Sequence, residues 1–387
     1  MGRLNKRELV NRLQVMGTAS RASLAKSLGL SQPTAGKIVE QLLRAGIVEE
    51  VNGNGAADAG RVGRPPRLLR LNRTQRRFLV VQLGVTNTSF AALPVGAHAE
   101  EQWQLQLPTP ASANAWLAQL KQAADKLRPR EFWGVLVSLP GVVDEPGGRV
   151  LFSPNLHWTE GADLPDLLQK VWDAPVVLVQ EERALALGHQ MTEPGSEGFL
   201  LADFGEGVGG AILVGGRLQV NPLPIQGELG HTPVFHNERL CGCGAKGCLE
   251  TLVSTRGLLQ SFAEHSRMKA PTWAALVQHV EQHGVPPWLA ETLAHTATII
   301  AGALNMLGLQ QVVVTGSLLD FPPTVFRYLS EAITSGAMWG RFGHLEVKRA
   351  PRRRIAGLLA VGLDRLVLPL RSQGKRSAAG LLAREEF

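Results

Sequence analysis

Three cysteines, Cys241, Cys243 and Cys248, fall within eight residues of a 387-residue chain that has no others. Thiolates at Cys-x-Cys-x4-Cys spacing are soft donors for a transition metal. Zinc in a closed structural site takes four such donors at the corners of a tetrahedron. An odd, tight cluster does not make a disulfide framework. Two histidines lie just upstream, His231 and His236. The nine residues between His231 and Cys241 are enough to fold back on the cluster. A fully liganded ion has no open position for catalysis, so the expected cofactor is a structural Zn2+.

A second chemistry is written at the N-terminus. Residues 1–70 carry twelve Lys/Arg against five Asp/Glu, an excess equal to the whole chain's net charge of +7. Such a concentration of cations suits a polyanion. The spacing predicts a helix over 5–16, a second capped by Ser20, and a third capped by Ser31 running 32–46, with Gly29 as the turn between the last two. Short helix, tight turn and a helix with a small polar first turn is the helix-turn-helix arrangement. Ser31, Gln32, Thr34, Ala35 and Lys37 are then the candidate DNA-facing residues, Gln and Thr for base edges and Lys for a phosphate. Residues 47–51 and 67–71 read as two short strands joined by a Gly-rich wing. Its RVGRPPR segment resembles an AT-hook, so Arg61 and Arg64 are candidates for a narrow A·T-rich minor groove.

Hydrophobic residues at 44% and charged residues at 19% describe a chain able to bury a sizeable core. No apolar run reaches the ~18 residues of a membrane span. The charged start, MGRLNKRELVNRL, is unlike a signal peptide. Both exclude a membrane role and make a cytoplasmic location the expectation. From Arg77 the pattern alternates strands and helices. FLVVQLGVTNTSFAALPV reads as a hairpin turning at Gly84 to Thr88, and FLLADFGEGVGGAILVGGRLQV as a second. Buried strands are expected at 132–139, 176–180 and 311–316. Helices are expected at 111–128, after 180, at 290–308 and at 355–367. The basic stretch 348–354 and the tail from Ser372 read as surface and receive no role.

PIQGELGHTPV followed by CGCGAKGCLE resembles the signature of the ROK family of repressors, open reading frames and kinases, and SPNLHW resembles its sugar-proximal segment. The resemblance implies a two-lobed α/β fold of the actin-like ATPase type behind a winged helix-turn-helix. The divisions are then 1–72 for the DNA-binding domain, 76–192 plus a C-terminal helix near 355–370 for the first lobe, and 193–350 for the second lobe with its zinc loop. It selects His231 as the fourth metal ligand and leaves His236 at the surface. It also implies that Glu228, His231 and Glu250 touch sugar hydroxyls, with Asn155 and Glu182 further candidates; Glu182 aligns with the family's catalytic base, and a one-residue shift would put Glu181 there instead.

Phosphoryl transfer needs that base and a phosphate cradle with a metal-organising Asp. Where family kinases read Asp-x-Gly-Gly-Thr, this chain reads Gln82-Leu83-Gly84-Val85-Thr86, so the Asp is a neutral Gln and a cradle glycine is Val85. Glu182 is one methylene longer than the Asp it replaces, and such a displacement can cost ~100-fold. Glu206 stands in the second hairpin where phosphate would approach. The resemblance therefore implies a sugar-responsive repressor, without catalytic residues, binding double-stranded operator DNA as a homodimer or dimer of dimers and answering to a monosaccharide. The alternatives are a sugar kinase with an appended DNA-binding domain and a repressor governed by a protein partner.

Overall fold

Serine side chains punctuate the N-terminal helices. The computed structural model describes residues 2–51, 67–97, 103–127, 131–193, 195–219, 225–266 and 268–369. Helix α1 runs Gly2–Met16, α2 Arg21–Ser27 and α3 Gln32–Arg44. Ser20 Oγ accepts from the Ser23 amide at 3.0 Å and Ser31 Oγ from the Thr34 amide at 3.4 Å. Each cap satisfies a donor that the first helical turn leaves unpaired. Gly29 (φ 62°) makes the turn between α2 and α3 in a region that L-residues avoid. Ala35, Ile38, Val39 and Leu42 of α3 are buried, as are Leu9, Val10 and Leu13 of α1 and Leu24 and Ala25 of α2.

Strands β1 (Ala19–Ser20), β2 (Val48–Val51) and β3 (Leu68–Leu71) form an antiparallel sheet in the order β1-β3-β2. Strand β1 is two residues long, too short for any alternation to announce it. Helix α3 ends two residues before the expected Gly46, which adopts φ 69°.

The chain divides into two units: 1–138, 163–179 and the residues from 355 onward in the first, 139–162 and 180–354 in the second. In the first, β4 (Arg76–Leu83) and β5 (Asn87–Pro94) make the expected hairpin, with Thr88 already inside β5. Strand β6 (Leu105–Pro108) pairs antiparallel with β5, and β7 (Gly134–Leu139) pairs parallel with β4. After a small hairpin of β8 (Val142–Asp144) and β9 (Arg149–Phe152), which belongs to the second unit, β10 (Val176–Gln180) completes the sheet order β10-β7-β4-β5-β6. Helices α4 (Ala113–Lys126) and α5 (Leu164–Gln169) contribute Trp116, Leu120, Leu164 and Leu168 to the core. Arg7 of α1 pairs with Asp364 in the π-helical turn Leu363–Val367.

The second unit is built on β11 (Phe199–Phe204), β12 (Val208–Val214) and β13 (Arg217–Leu218), with α6 (Glu181–Thr192) packed on them through Leu185 and Ala186. Helices α7 (Glu250–Val253), α8 (Thr255–Ser266), α9 (Trp273–His283), α10 (Pro287–Leu307), α11 (Pro323–Gly336) and α12 (Met338–Arg341) follow. Strands β14 (Gln311–Gly316) and β15 (Glu346–Arg349) extend the sheet to the order β13-β12-β11-β14-β15. A single apolar cluster joins Leu200, Ala202 and Phe204 of β11 to Leu258, Leu293, Ile300 and Leu329 of the helices.

The basic stretch 348–354 is not the free surface expected of it. Arg349 lies over the Phe326 ring at 5.6 Å, Arg352 binds Asp203 through two bonds of 2.8 Å, and Arg354, only 4% exposed, pairs with Glu181 at the start of helix α13 (Arg354–Gly362). Buried carboxylates on β11 and α6 draw these guanidinium groups inward, because an ionised acid away from water must be paired. The tail from Ser372 lies outside the described residues.

Candidate functional site

The segment from Gly227 to Leu249 is held by turns and isolated bridges instead of a regular strand, which is where a metal staple would matter. Isolated bridges join Pro233 to Cys248 and Leu240 to Lys246, and the Cys241 amide donates to Ala245 O at 2.8 Å. These turns bring one donor atom from each of His231, Cys241, Cys243 and Cys248 within 4.8 Å of one another. Tetrahedral zinc, with Zn–S about 2.3 Å and Zn–N about 2.0 Å, requires sulfurs about 3.8 Å apart and sulfur to nitrogen about 3.5 Å. Cys243 Sγ and Cys248 Sγ are 3.7 Å apart, and His231 Nδ1 is 3.6 Å from Cys241 Sγ. The donor set therefore fits zinc. Burial and the neighbouring thiols push Cys248 up to about 12, and burial raises Cys241. A bound cation supplies the compensation that lets such thiols ionise. His236 is exposed, at φ 62°, with its ring against Phe235 at 4.2 Å, and takes no part.

His231 faces two ways. Its Nδ1 points to the cluster, while Nε2 lies 3.7 Å from Glu228 Oε2. One ring can thus hold a metal and still present a nitrogen to a neighbouring cavity. That cavity, within the second unit, has a volume of about 50 Å³ and is partly open to solvent. It is lined by Asn155, Glu182, Glu228, His231 and Glu250, so all five sugar candidates meet on it. Asn155 stands in a loop fixed by Glu160, whose Oε1 accepts from the Ser153 amide at 2.9 Å and lies 3.0 Å from His157 Nδ1.

The carboxylates differ in their ties. Glu250 Oε2 accepts from the Val208 amide at 2.9 Å, and its Oε1 lies 4.0 Å from Cys241 Sγ, so this residue joins the second hairpin to the cysteine cluster. Glu182 Oε2 and Glu228 Oε1 are buried and lack a hydrogen-bond partner among the described residues. Burial pushes Glu182 well above the usual carboxylate range, with Glu181, Asp203 and Glu228 adding to it. Burial also raises Glu228, against the pull of His231. Gly209 lets Glu182 in: a Cβ there would fall 2.5 Å from Glu182 Oε1.

Sequence reasoning missed several parts of this site. Gln180, Gly207, Val208 and Gly209 also line the cavity, and Arg352, Arg354 and Arg183 neutralise the acids Asp203, Glu181 and Glu145 around Glu182. Only the clustered acids Glu181 and Glu182 and the arginine run hinted at such pairing. Gln82 and Val85 belong to the first unit, on β4 and in its following turn. Glu206 is exposed. In the N-terminal module Ser31, Gln32, Thr34 and Lys37 are exposed together at the start of α3. Ala35, expected with them, is fully buried, because it follows the apolar period of α3 instead. Arg61 and Arg64 lie outside the described residues.

The ROK family profile matches residues 78–359. The chain belongs to the ROK family. Curated relatives include the xylose repressor of Caldicellulosiruptor bescii, 28% identical over 275 residues, 65% of this chain and 65% of that protein. They also include the DNA-binding transcriptional dual regulator NagC of Escherichia coli K12, 23% identical over 90% of this chain and 88% of that one. Among solved structures, a ROK family transcriptional regulator described as a homologue of the E. coli MLC protein superposes with a TM-score of 0.71 at 20% identity, covering 94% of this chain and 96% of that one. Its fold is therefore the fold of this ROK protein. Among the described residues no helix is long and apolar enough to cross a membrane.

Proposed function

We propose that this ROK protein is a cytoplasmic, sugar-responsive transcriptional repressor. Its first 72 residues act as a winged helix-turn-helix on double-stranded operator DNA, with Ser31, Gln32, Thr34 and Lys37 of α3 entering the major groove and Arg61 and Arg64 of the wing reaching an A·T-rich minor groove. A monosaccharide binds the cavity through Asn155, Glu182, Glu228, His231 and Glu250. A structural zinc on His231, Cys241, Cys243 and Cys248 fixes the loop that carries two of those contacts. The protein works as a homodimer or dimer of dimers, matching a pseudo-palindromic site.

One observation carries the sugar reading: Glu182 and Glu228 both line one small cavity, and each has a buried carboxyl oxygen without a hydrogen-bond partner among the described residues. Buried acceptors are costly unless a donor meets them, and a sugar is a compact array of donors. Sugar binding in this account shifts the balance between DNA-competent and incompetent states by its unequal affinity for the two. A gel shift on the protein's own upstream DNA, titrated with a panel of monosaccharides, tests it. One sugar should change the retarded fraction; a shift that no sugar alters, or no shift at all, overturns it.

A kinase reading keeps one observation on its side, the carboxylate of Glu182 in the cavity. Gln82 and Val85 remove the phosphate cradle, and so we assign no phosphoryl transfer. A coupled ATP assay that yielded sugar phosphate at ordinary kinase rates would reverse that assignment.

A further inference from the structure

The four donors of the cysteine cluster are carried by separate pieces of chain. Cys241 and Cys243 lie within the loop 239–247, whereas His231 and Cys248 lie outside it. That loop closes on itself. The Gly247 amide donates to Arg239 O at 3.0 Å, the Cys241 amide to Ala245 O at 2.8 Å and the Gly244 amide to Cys241 O at 3.0 Å. These bonds give the loop its shape but do not aim it at the other two donors. Backbone bonds hold the stem that leaves it, from the Val234 amide to Gly247 O at 2.7 Å and from the Leu249 amide to Thr232 O at 2.9 Å. The stem that enters it is held by a side chain.

That side chain is Arg239, with 20% of its surface left in solvent. Its Nη1 donates to Thr251 O at 2.9 Å and Gly257 O at 3.3 Å, and its Nη2 to Ser261 Oγ at 3.0 Å and Glu264 Oε2 at 2.7 Å. Thr251 O is open to it because the Thr255 amide, which would continue the ladder of α7, donates to Gly205 O at 2.8 Å instead. Asn237 works beside it. Its Oδ1 accepts from the Arg239 amide at 3.2 Å, and its Nδ2 donates to Cys248 O at 3.1 Å and Thr251 Oγ1 at 2.9 Å. The entry stem is thereby tied to the same turn of chain that carries Cys248. A planar fork with donors in fixed directions sets orientation as well as position. We infer that Arg239 is a positioning residue for the metal: it fixes the 239–247 loop on α7 and α8 so that Cys241 and Cys243 meet His231 and Cys248 at coordination distance. The inference rests on the zinc site proposed above and adds the residue that sets its affinity.

The test measures zinc affinity and release rate of the full-length protein against a chromophoric chelator, below the unfolding transition. Arg239→Met keeps an apolar stem and removes the fork. It should bind zinc about 10- to 100-fold more weakly than the wild type and release it faster. Arg239→Lys keeps the charge without the fork and should recover only part of that loss. If the Met variant does not fold, the Lys variant should show weakened binding by itself. Leu329→Ala, in the core of α11, should lower the thermal midpoint and leave zinc affinity unchanged. Zinc held by both Arg239 variants as tightly as by the wild type overturns the role of Arg239 and leaves the metal site standing. A Leu329→Ala protein that loses affinity by the same factor overturns it too, since any loss of stability would then suffice. Wild-type protein that binds no zinc overturns the site, and this inference falls with it.

Discussion

The N-terminal module and the cavity of the second unit use the same kind of ion pair to opposite ends. In the module, Arg21 and Arg67 both bind Glu50 and Arg70 binds Glu49, at 2.9, 2.6 and 2.7 Å. The acids are thereby cancelled on the sheet, while Lys37 stands exposed at the start of α3. Around the cavity the arginines are cancelled instead, by Glu145, Asp203 and Glu181, and the carboxylates of Glu182 and Glu228 are left over. Internal pairing thus decides what each region leaves unpaired: an exposed cation in one, buried carboxyl groups in the other. The environments differ as well. Hydrogen bonds from Arg67 hold Glu50 below the usual carboxylate range near the surface, whereas burial drives Glu182 far above it.

Metal removal should produce the largest effect and fall on one region alone. Structural zinc in small sites is worth on the order of 10 kcal/mol. Stripping it with a chelator, or Cys248→Ser, is expected to abolish sugar binding in calorimetry and lower the thermal midpoint, while operator binding survives without sugar response. Metal-free protein that binds sugar normally would break the link between cluster and cavity.

Next in size is the pair beneath the cavity. Arg352→Ala leaves Asp203 buried and unpaired, an error that costs about 3–5 kcal/mol in buried settings. Arg352 keeps 30% of its side chain in solvent, which places the expected loss near the lower figure, about 3 kcal/mol. Denaturant unfolding measures it, and adding Asp203→Asn should recover most of the loss. Equal instability in the double variant would show that the guanidinium matters for shape and not for charge.

A smaller effect comes through pH. Glu182 has a folded-state pKa raised above its ordinary 4.5. Its stabilising contribution is complete below the unfolded value and is lost as pH rises through the folded one. Glu182→Gln should therefore gain on the wild type as pH climbs above the usual carboxylate range, seen as diverging thermal midpoints. Parallel curves would mean that Glu182 is not buried as an unpaired acid. The smallest expected effect lies in the module: Lys37→Ala should weaken binding to all DNA sequences alike and lower the salt slope by about 1. A change in sequence preference would give Lys37 a base contact instead.

Much of this was legible before any coordinates. The serine caps at Ser20 and Ser31, the paired glycine hairpins and the cysteine spacing each state a local rule, and local rules survive folding. The convergence of Asn155, Glu182, Glu228, His231 and Glu250 on one cavity was legible only through family resemblance, since these residues are spread over nearly a hundred positions. Misread were the features that depend on distant partners. Arg352 and Arg354 look like surface charge until Asp203 and Glu181 arrive beside them, from about 150 and 173 positions away. Ala35 was assigned by its place in the first turn of α3, though its apolar period already pointed inward. Strands β1 and β15 are short segments completed by neighbours, and carry no pattern of their own.

The central claim is that ligand in the acceptor-lined cavity alters the affinity of the cationic module for DNA. Fluorescence anisotropy of labelled upstream DNA, titrated with zinc-loaded protein in the absence and presence of the sugar that calorimetry identifies, measures this coupling directly. The predicted result is an operator affinity changed by about 5-fold or more at saturating sugar. Superimposed curves, with the sugar demonstrably bound, would contradict it.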